Sequence, residues 1–89
     1  MKMLKITKQF KKDLKKYKHQ KQKIDSLEVV LGYLARGEQV PVQYKPHMLI
    51  GDYRGFMECH VENDLLLIWF DKDKDIITLI RFGTHSELF

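Results

Sequence analysis

The spacing of hydrophobic positions changes twice along this 89-residue chain. Residues 2–6, Lys-Met-Leu-Lys-Ile, alternate too briefly for more than a short edge-type strand. From Thr7 onward the period lengthens. Phe10, Leu14 and Tyr17 recur at i, i+4 and i+7, one stripe of a helix over residues 8–17 that Thr7 can cap. Residues 18–22 interrupt the pattern. A second helix over residues 27–36, capped by Asp25 or Ser26, carries Leu27, Val30, Leu31 and Leu34 at helical spacing. Gly37 stands where a C′ glycine ends such a helix. The pair reads as a helical hairpin with its basic face outward.

The second half runs on a period of two. Residues 37–55 form a long connection punctuated by Pro41, Pro46, Gly51 and Gly55, and long loops in compact domains often carry function. Three strand patterns follow, at 56–61, 65–70 and 76–82. The short polar links Glu-Asn-Asp (62–64) and Asp-Lys-Asp-Lys-Asp (71–75) suit hairpins. The order β-α-α-β-β-β predicts an α+β fold, one domain over 1–89, with the helix pair on a largely antiparallel four-stranded sheet.

Composition narrows the functional classes. No apolar run approaches the roughly 18–20 residues of a membrane span, and no signal-peptide pattern opens the chain. The single cysteine, Cys59, has no internal disulfide partner, so a reducing, cytoplasmic setting is expected. The net charge of +4 divides unevenly, with ten lysines against one acid, Asp13, through Lys23, and six Lys and Arg against eleven acids beyond it. A basic face including Lys11, Lys12, Lys15 and Lys16 is suited to polyanions, giving phosphate affinity rather than sequence choice.

Strand periodicity sorts the polar side chains. Arg54, Phe56, Glu58 and His60 share one face of their strand, and Met57, Cys59 and Val61 the other. In the last strand, strict alternation puts Ile77, Leu79 and Arg81 together, opposite Ile76, Thr78, Ile80 and Phe82. With Cys59 and Val61 packed under the helices, Glu58 and His60 face outward, and Arg81 joins them if the register permits. A turn at Gly83 lets His85 and Phe89 fold back, while His47 completes the rim and Asp64 sits beside it. Three imidazoles, two carboxylates and a guanidinium suit phosphodiester cleavage in RNA. Histidine titrates near neutrality, arginine matches phosphate geometry, and an aromatic end group stacks on an unpaired base. The 2′-hydroxyl of the substrate is the nucleophile, so no cofactor or metal is expected. Zinc fits poorly, because Cys59 and His60 point to opposite faces and no metal-ligand spacing occurs.

The segment from Lys45 to Phe70, with its Glu-Cys-His run, and the closing Arg-Phe-Gly-Thr-His-Ser-Glu-Leu-Phe resemble the YafQ branch of the RelE-like bacterial toxins. The likeness is sharpest in the C-terminal half. In the N-terminal half it is one of element order. It implies a RelE-like, microbial-RNase-like fold and an endoribonuclease that cuts messenger RNA in the ribosomal A site. His85 would lead proton transfer as the general acid, while His60, Glu58 and His47 would share the base role and the phosphate. Asp64 and Arg81 would orient neighbours and stabilise charge, and Phe89 would position the message. Arg54 and the lysine helices would dock on 16S ribosomal RNA. The implied partner is a small antitoxin, DinJ-like or similar, with operator DNA met only through the antitoxin complex and no membrane. Met57, Asn63 and Leu65 depart from the family pattern, which often has Arg, Pro and Trp there, and the loss of charge at Met57 puts phosphate affinity in doubt. The expected tail is a clamp whose loss, by removing Leu88 and Phe89, lowers cleavage with little effect on folding. Two alternatives remain open: a ParE-like blocker of a protein such as gyrase, and a plain basic RNA- or DNA-binding module.

Overall fold

The computed structural model describes residues 1–71 and 75–89. Its elements are strand β1 (Met3–Ile6), helices α1 (Lys8–Tyr17) and α2 (Lys21–Ala35), strands β2 (His47–Met48), β3 (Met57–Glu62), β4 (Leu65–Phe70) and β5 (Ile76–Gly83), and a last short helix α3 (His85–Leu88). The sheet has five strands in the order β1-β5-β4-β3-β2, one more than the pattern predicts. β2 is two residues long, too short for alternation to show. β1 is an edge strand as expected but pairs parallel to β5, from Met3↔Ile76 to Ile6↔Leu79. Every other pair is antiparallel. The predicted link at 71–75 lies partly outside the described residues.

Thr7 ends β1 and starts α1 in one residue. Its backbone is extended and its Oγ1 accepts the Phe10 N–H at 3.1 Å. The same hydroxyl donates to the Leu79 carbonyl of β5 at 2.9 Å. The second helix begins six residues before the expected start, at Lys21, with no side-chain cap. The two proposed caps are engaged elsewhere. Ser26 donates to Glu62 of β3 at 2.8 Å, and Asp25 pairs with Lys21 one turn earlier at 2.9 Å. Gly37 does end α2: at φ 72° it donates to Leu34, and Glu38 donates to Tyr33.

The main core lies between the helices and one face of the sheet. Phe10 and Tyr17 of α1 and Leu27, Val30 and Leu34 of α2 pack on Cys59, Val61, Leu67, Trp69, Ile77, Leu79 and Phe82. The opposite face carries a smaller cluster, Leu66, Ile68 and Leu88, flanked by Leu49, Phe56 and Ile80. Hence the continuous apolar run of β4: Leu65 to Trp69 are all buried because both faces are covered.

A bulge in the β4–β5 pairing corrects the strict alternation. Trp69 faces Leu79 but Ile68 faces Arg81, so Ile80 is the extra residue. Ile77, Leu79 and Phe82 belong to the helix side, whereas Ile80 packs on the smaller cluster and Arg81 shares a sheet row with Ile68 and Glu58. Arg81 therefore does not share a face with Ile77 and Leu79. The inserted residue carries it to the surface that holds Glu58.

Candidate active site

β2 and β3 build one half of the site. His47 is the direct cross-strand partner of Glu58, and its Nε2 donates to Glu58 Oε1 at 3.0 Å. Its Nδ1 lies 2.8 Å from the Lys45 carbonyl. Both ring nitrogens thus face acceptors. Glu58 is 6% exposed, and its Oε2 is buried with no hydrogen-bond partner among the described residues. His60, two positions along the same face, turns Nδ1 toward the Asn63 carbonyl at 3.3 Å. That carbonyl can only accept, which selects the Nδ1–H tautomer and leaves the Nε2 lone pair free. The His47 and His60 rings stand 6.5 Å apart.

β5 and α3 build the other half. His60 shares a row with Leu66 and Gly83, so the start of α3 lies at the His60 end of the sheet, two strand spacings or roughly 10 Å away. Asp64, exposed in the β3–β4 turn, accepts the His85 backbone N–H at 3.1 Å and ties the two ends together. α3 is set by a capping box: Thr84 Oγ1 accepts from Glu87 N and the Glu87 carboxylate accepts from Thr84 N. Gly83 makes room for it, since a Cβ there would meet Glu87 Oε1 at 2.7 Å. The His85 ring is exposed and lies 5.1 Å from Phe89, which stands edge-on to Tyr53 at 5.5 Å. Tyr53 continues to Phe56, and Phe56 to Phe70.

Arg81 is anchored away from Glu58. Its Nε and Nη2 donate to Asp13 at 2.8 and 3.3 Å. The carboxylate beside it raises the guanidinium further above its usual range. Burial works to raise the Asp13 carboxyl, but Arg81, the Phe82 N–H and Gln9 outweigh it and hold the group below its ordinary range.

The sequence-predicted residues thus fall into two groups, His47, Glu58 and His60 on one side and Asp64, Arg81, His85 and Phe89 on the other, joined through Asp64. Lys11, Lys12, Lys15 and Lys16 are exposed on α1, and Tyr17 of the same helix bonds to Glu87, so α1 adjoins α3. Arg54 is exposed at the end of the turn over Gly51–Tyr53. Cys59 is fully buried on the helix side, and burial pushes its thiol up to about 12. It is no nucleophile. Among the described residues no group of three His, Cys, Asp or Glu is placed to hold a metal ion. One expectation fails: Leu88 is 6% exposed and packs on Leu66 and Ile68, so removing it with Phe89 would damage the fold. Asp13, Tyr17, Tyr53 and Glu87 were missed as site residues. The signals available were an acid on the apolar stripe of a lysine helix, and Thr-x-x-Glu at 84–87.

The family described as the bacterial toxin of a type II toxin–antitoxin system, YafQ, matches residues 2–89. Over 82 residues the chain is 33% identical to the mRNA interferase toxin YafQ of Escherichia coli strain K12, spanning 91% of this chain and 88% of that one. A copper-bound mutant toxin from Helicobacter pylori superposes with a TM-score of 0.90 at 36% identity, covering the whole of both chains. YafQ from the E. coli DinJ–YafQ complex gives 0.87 at 28% identity, over all of this chain and 99% of that one.

Proposed function

The chain belongs to the YafQ family of toxins of type II toxin–antitoxin systems, and on that premise we propose that it is an mRNA interferase, an endoribonuclease that cuts messages in the ribosomal A site. The cut is an in-line attack of the 2′-hydroxyl on the neighbouring phosphorus. The 2′-oxygen loses its proton and bonds to phosphorus, the bond to the 5′-oxygen breaks, and that oxygen takes up a proton. The nucleophile comes from the substrate, so the protein has only to move protons and hold charge.

His60 is the general base on this reading. Its free Nε2 can accept the 2′-hydroxyl proton, while the Asn63 carbonyl fixes the ring. His85, whose exposed ring has no hydrogen-bond partner among the described residues, is the general acid for the leaving 5′-oxygen. His47 suits charge stabilisation better than proton abstraction, because both its nitrogens face acceptors. Arg81, held on two nitrogens by Asp13, is a fixed cation for the phosphorane oxygens. Phe89 supplies a stacking face for a base, and Lys11, Lys12, Lys15, Lys16 and Arg54 supply the salt-dependent grip on ribosomal and messenger RNA. A small antitoxin in the same cytoplasm silences the enzyme, as the DinJ–YafQ pairing of its relative suggests. Among the described residues no helix is long and apolar enough to cross a membrane.

The observation that carries this reading is the Asp64–His85 tie, which brings the candidate acid to the His60 end of the sheet. The test is a cleavage map of messages on translating ribosomes, with wild type and His85→Ala. Codon-phased cuts that vanish in the variant are expected. Intact messages beside arrested growth would favour a ParE-like blocker instead.

A further inference from the structure

Asp13 is a conspicuous exception on its helix. It is the lone acid among the lysines of α1, yet it is 1% exposed. Burying a carboxylate is costly unless its partners are complete. Here they are: Arg81 Nε and Nη2, the Phe82 backbone N–H at 2.9 Å, and Gln9 Nε2 at 3.2 Å. The Phe82 bond has a topological origin. β1 stops opposite Leu79, so among the described residues β5 has no strand neighbour on that side beyond it, and α1 reaches that edge with a side chain.

One turn further on, Tyr17 does the same for α3. It is 5% exposed and its hydroxyl donates to the Glu87 carboxylate, the one that closes the capping box on Thr84. Glu87 sits two residues after His85 and two before Phe89. Two arms of α1 thus reach the site: Asp13 holds Arg81, and Tyr17 holds Glu87 on the helix whose His85 and Phe89 rings meet each other, with Tyr53 against Phe89.

We propose that Asp13 and Tyr17 are positioning residues for the cleavage reaction: Asp13 aims the Arg81 guanidinium, and Tyr17, through Glu87, fixes the helix that carries His85 and Phe89. This rests on the mRNA-cleaving reading of the same site. Neither residue faces the substrate. Each acts through one that does. Replacing a buried ion pair by apolar residues is often neutral for stability, so the Asp13–Arg81 pair is better explained by the geometry it imposes than by energy of folding. Misplacing a reacting group by about 1 Å can cost on the order of a hundredfold in rate, enough for a single lost hydrogen bond to register.

The test is single-turnover cleavage of ribosome-bound message by the full chain, in two double-mutant cycles. Tyr17→Phe removes one hydroxyl and should lower kcat about tenfold, with KM within about twofold, and should cause a clearly smaller further loss on a His85→Ala background, the remainder acting through Phe89. Asp13→Asn should lower kcat about ten- to a hundredfold, with no further loss on an Arg81→Ala background. Undiminished kcat in both single variants, or losses that multiply fully in both cycles, would overturn the proposal while wild-type cleavage upheld the nuclease reading. A wild-type protein that cuts nothing would remove both. Should Asp13→Asn not fold, the Tyr17→Phe cycle decides alone.

Discussion

The two halves of the candidate site are held by different means. His47, Glu58 and His60 stand on β2 and β3, where backbone pairing fixes their spacing and His47 meets Glu58 across one ladder position. Arg81, His85 and Phe89 stand on the end of β5 and on α3, beyond the reach of β1, and depend on side chains of α1 and on Asp64. The β3–β4 ladder shares its load over several backbone bonds, so loss of one side chain leaves β3 in place. In the other half the end of β5 is, among the described residues, paired on one side only, and α3 rests on the packing of Leu88 and on a few hydrogen bonds, several of them to charged groups, so each such bond counts. One half is scaffold. The other is adjustable, and we expect the chemistry to be most sensitive there.

The comparison can be broken or sharpened by experiment. The largest expected effect is from His85→Ala, which should lower cleavage about 10²–10⁴-fold, the usual worth of a positioned acid, with an unchanged melting temperature because the ring is exposed. An equal loss from His47→Ala with none from His85→Ala would reverse the comparison. Next comes Leu88→Ala, which should cost about 2–5 kcal/mol of stability by opening a cavity over Leu66 and Ile68, measured by denaturant unfolding. Phe89→Ala, at a half-exposed ring, should leave unfolding unaltered and weaken cleavage by about 1–3 kcal/mol of lost stacking. A large loss of stability there would mean the ring is core and not clamp.

The smallest effect is on pH dependence. Asp13 and Glu87 are held below their ordinary values of 3.8 and 4.5, so what they contribute is present above those values. It is lost as pH falls through them toward the folded values. Tyr17 is raised to about 12 by burial and by Glu87, so its contribution is complete below its ordinary value of 10 and lost as pH climbs from there to about 12. Amide exchange should therefore speed up in α3 before β3 at both extremes. Simultaneous opening of the two would show that the halves are not independently held.

How much of this was legible in the sequence depended on the same division. The alternation of β3 placed Glu58 and His60 outward and Cys59 and Val61 inward, because a ladder enforces period two. His47 was legible as a residue but not as a strand partner, since two residues carry no pattern. Strict alternation groups Arg81 with Ile77 and Leu79 and fails there, because a bulge is a one-residue insertion with no obligatory sequence mark; the surface it shares is that of Glu58. Asp13 was visible only as an oddity: it lies on the stripe of Phe10, Leu14 and Tyr17, where an acid needs a buried partner, but that partner is 68 residues away. The Thr84–Glu87 capping box was written plainly in the chain, whereas its anchor, Tyr17, was hidden in the core pattern of α1.

The central claim is that these side chains move protons for an attack by the message's own 2′-hydroxyl. The most direct measurement is the chemistry of the ends left on ribosome-bound message, repeated with one 2′-deoxy nucleotide at the scissile position. The account predicts a 2′,3′-cyclic phosphate or the 3′-phosphate derived from it, a free 5′-hydroxyl on the other fragment, and no cut in the deoxy message. A 3′-hydroxyl opposite a 5′-phosphate, or undiminished cutting of the deoxy message, would contradict it.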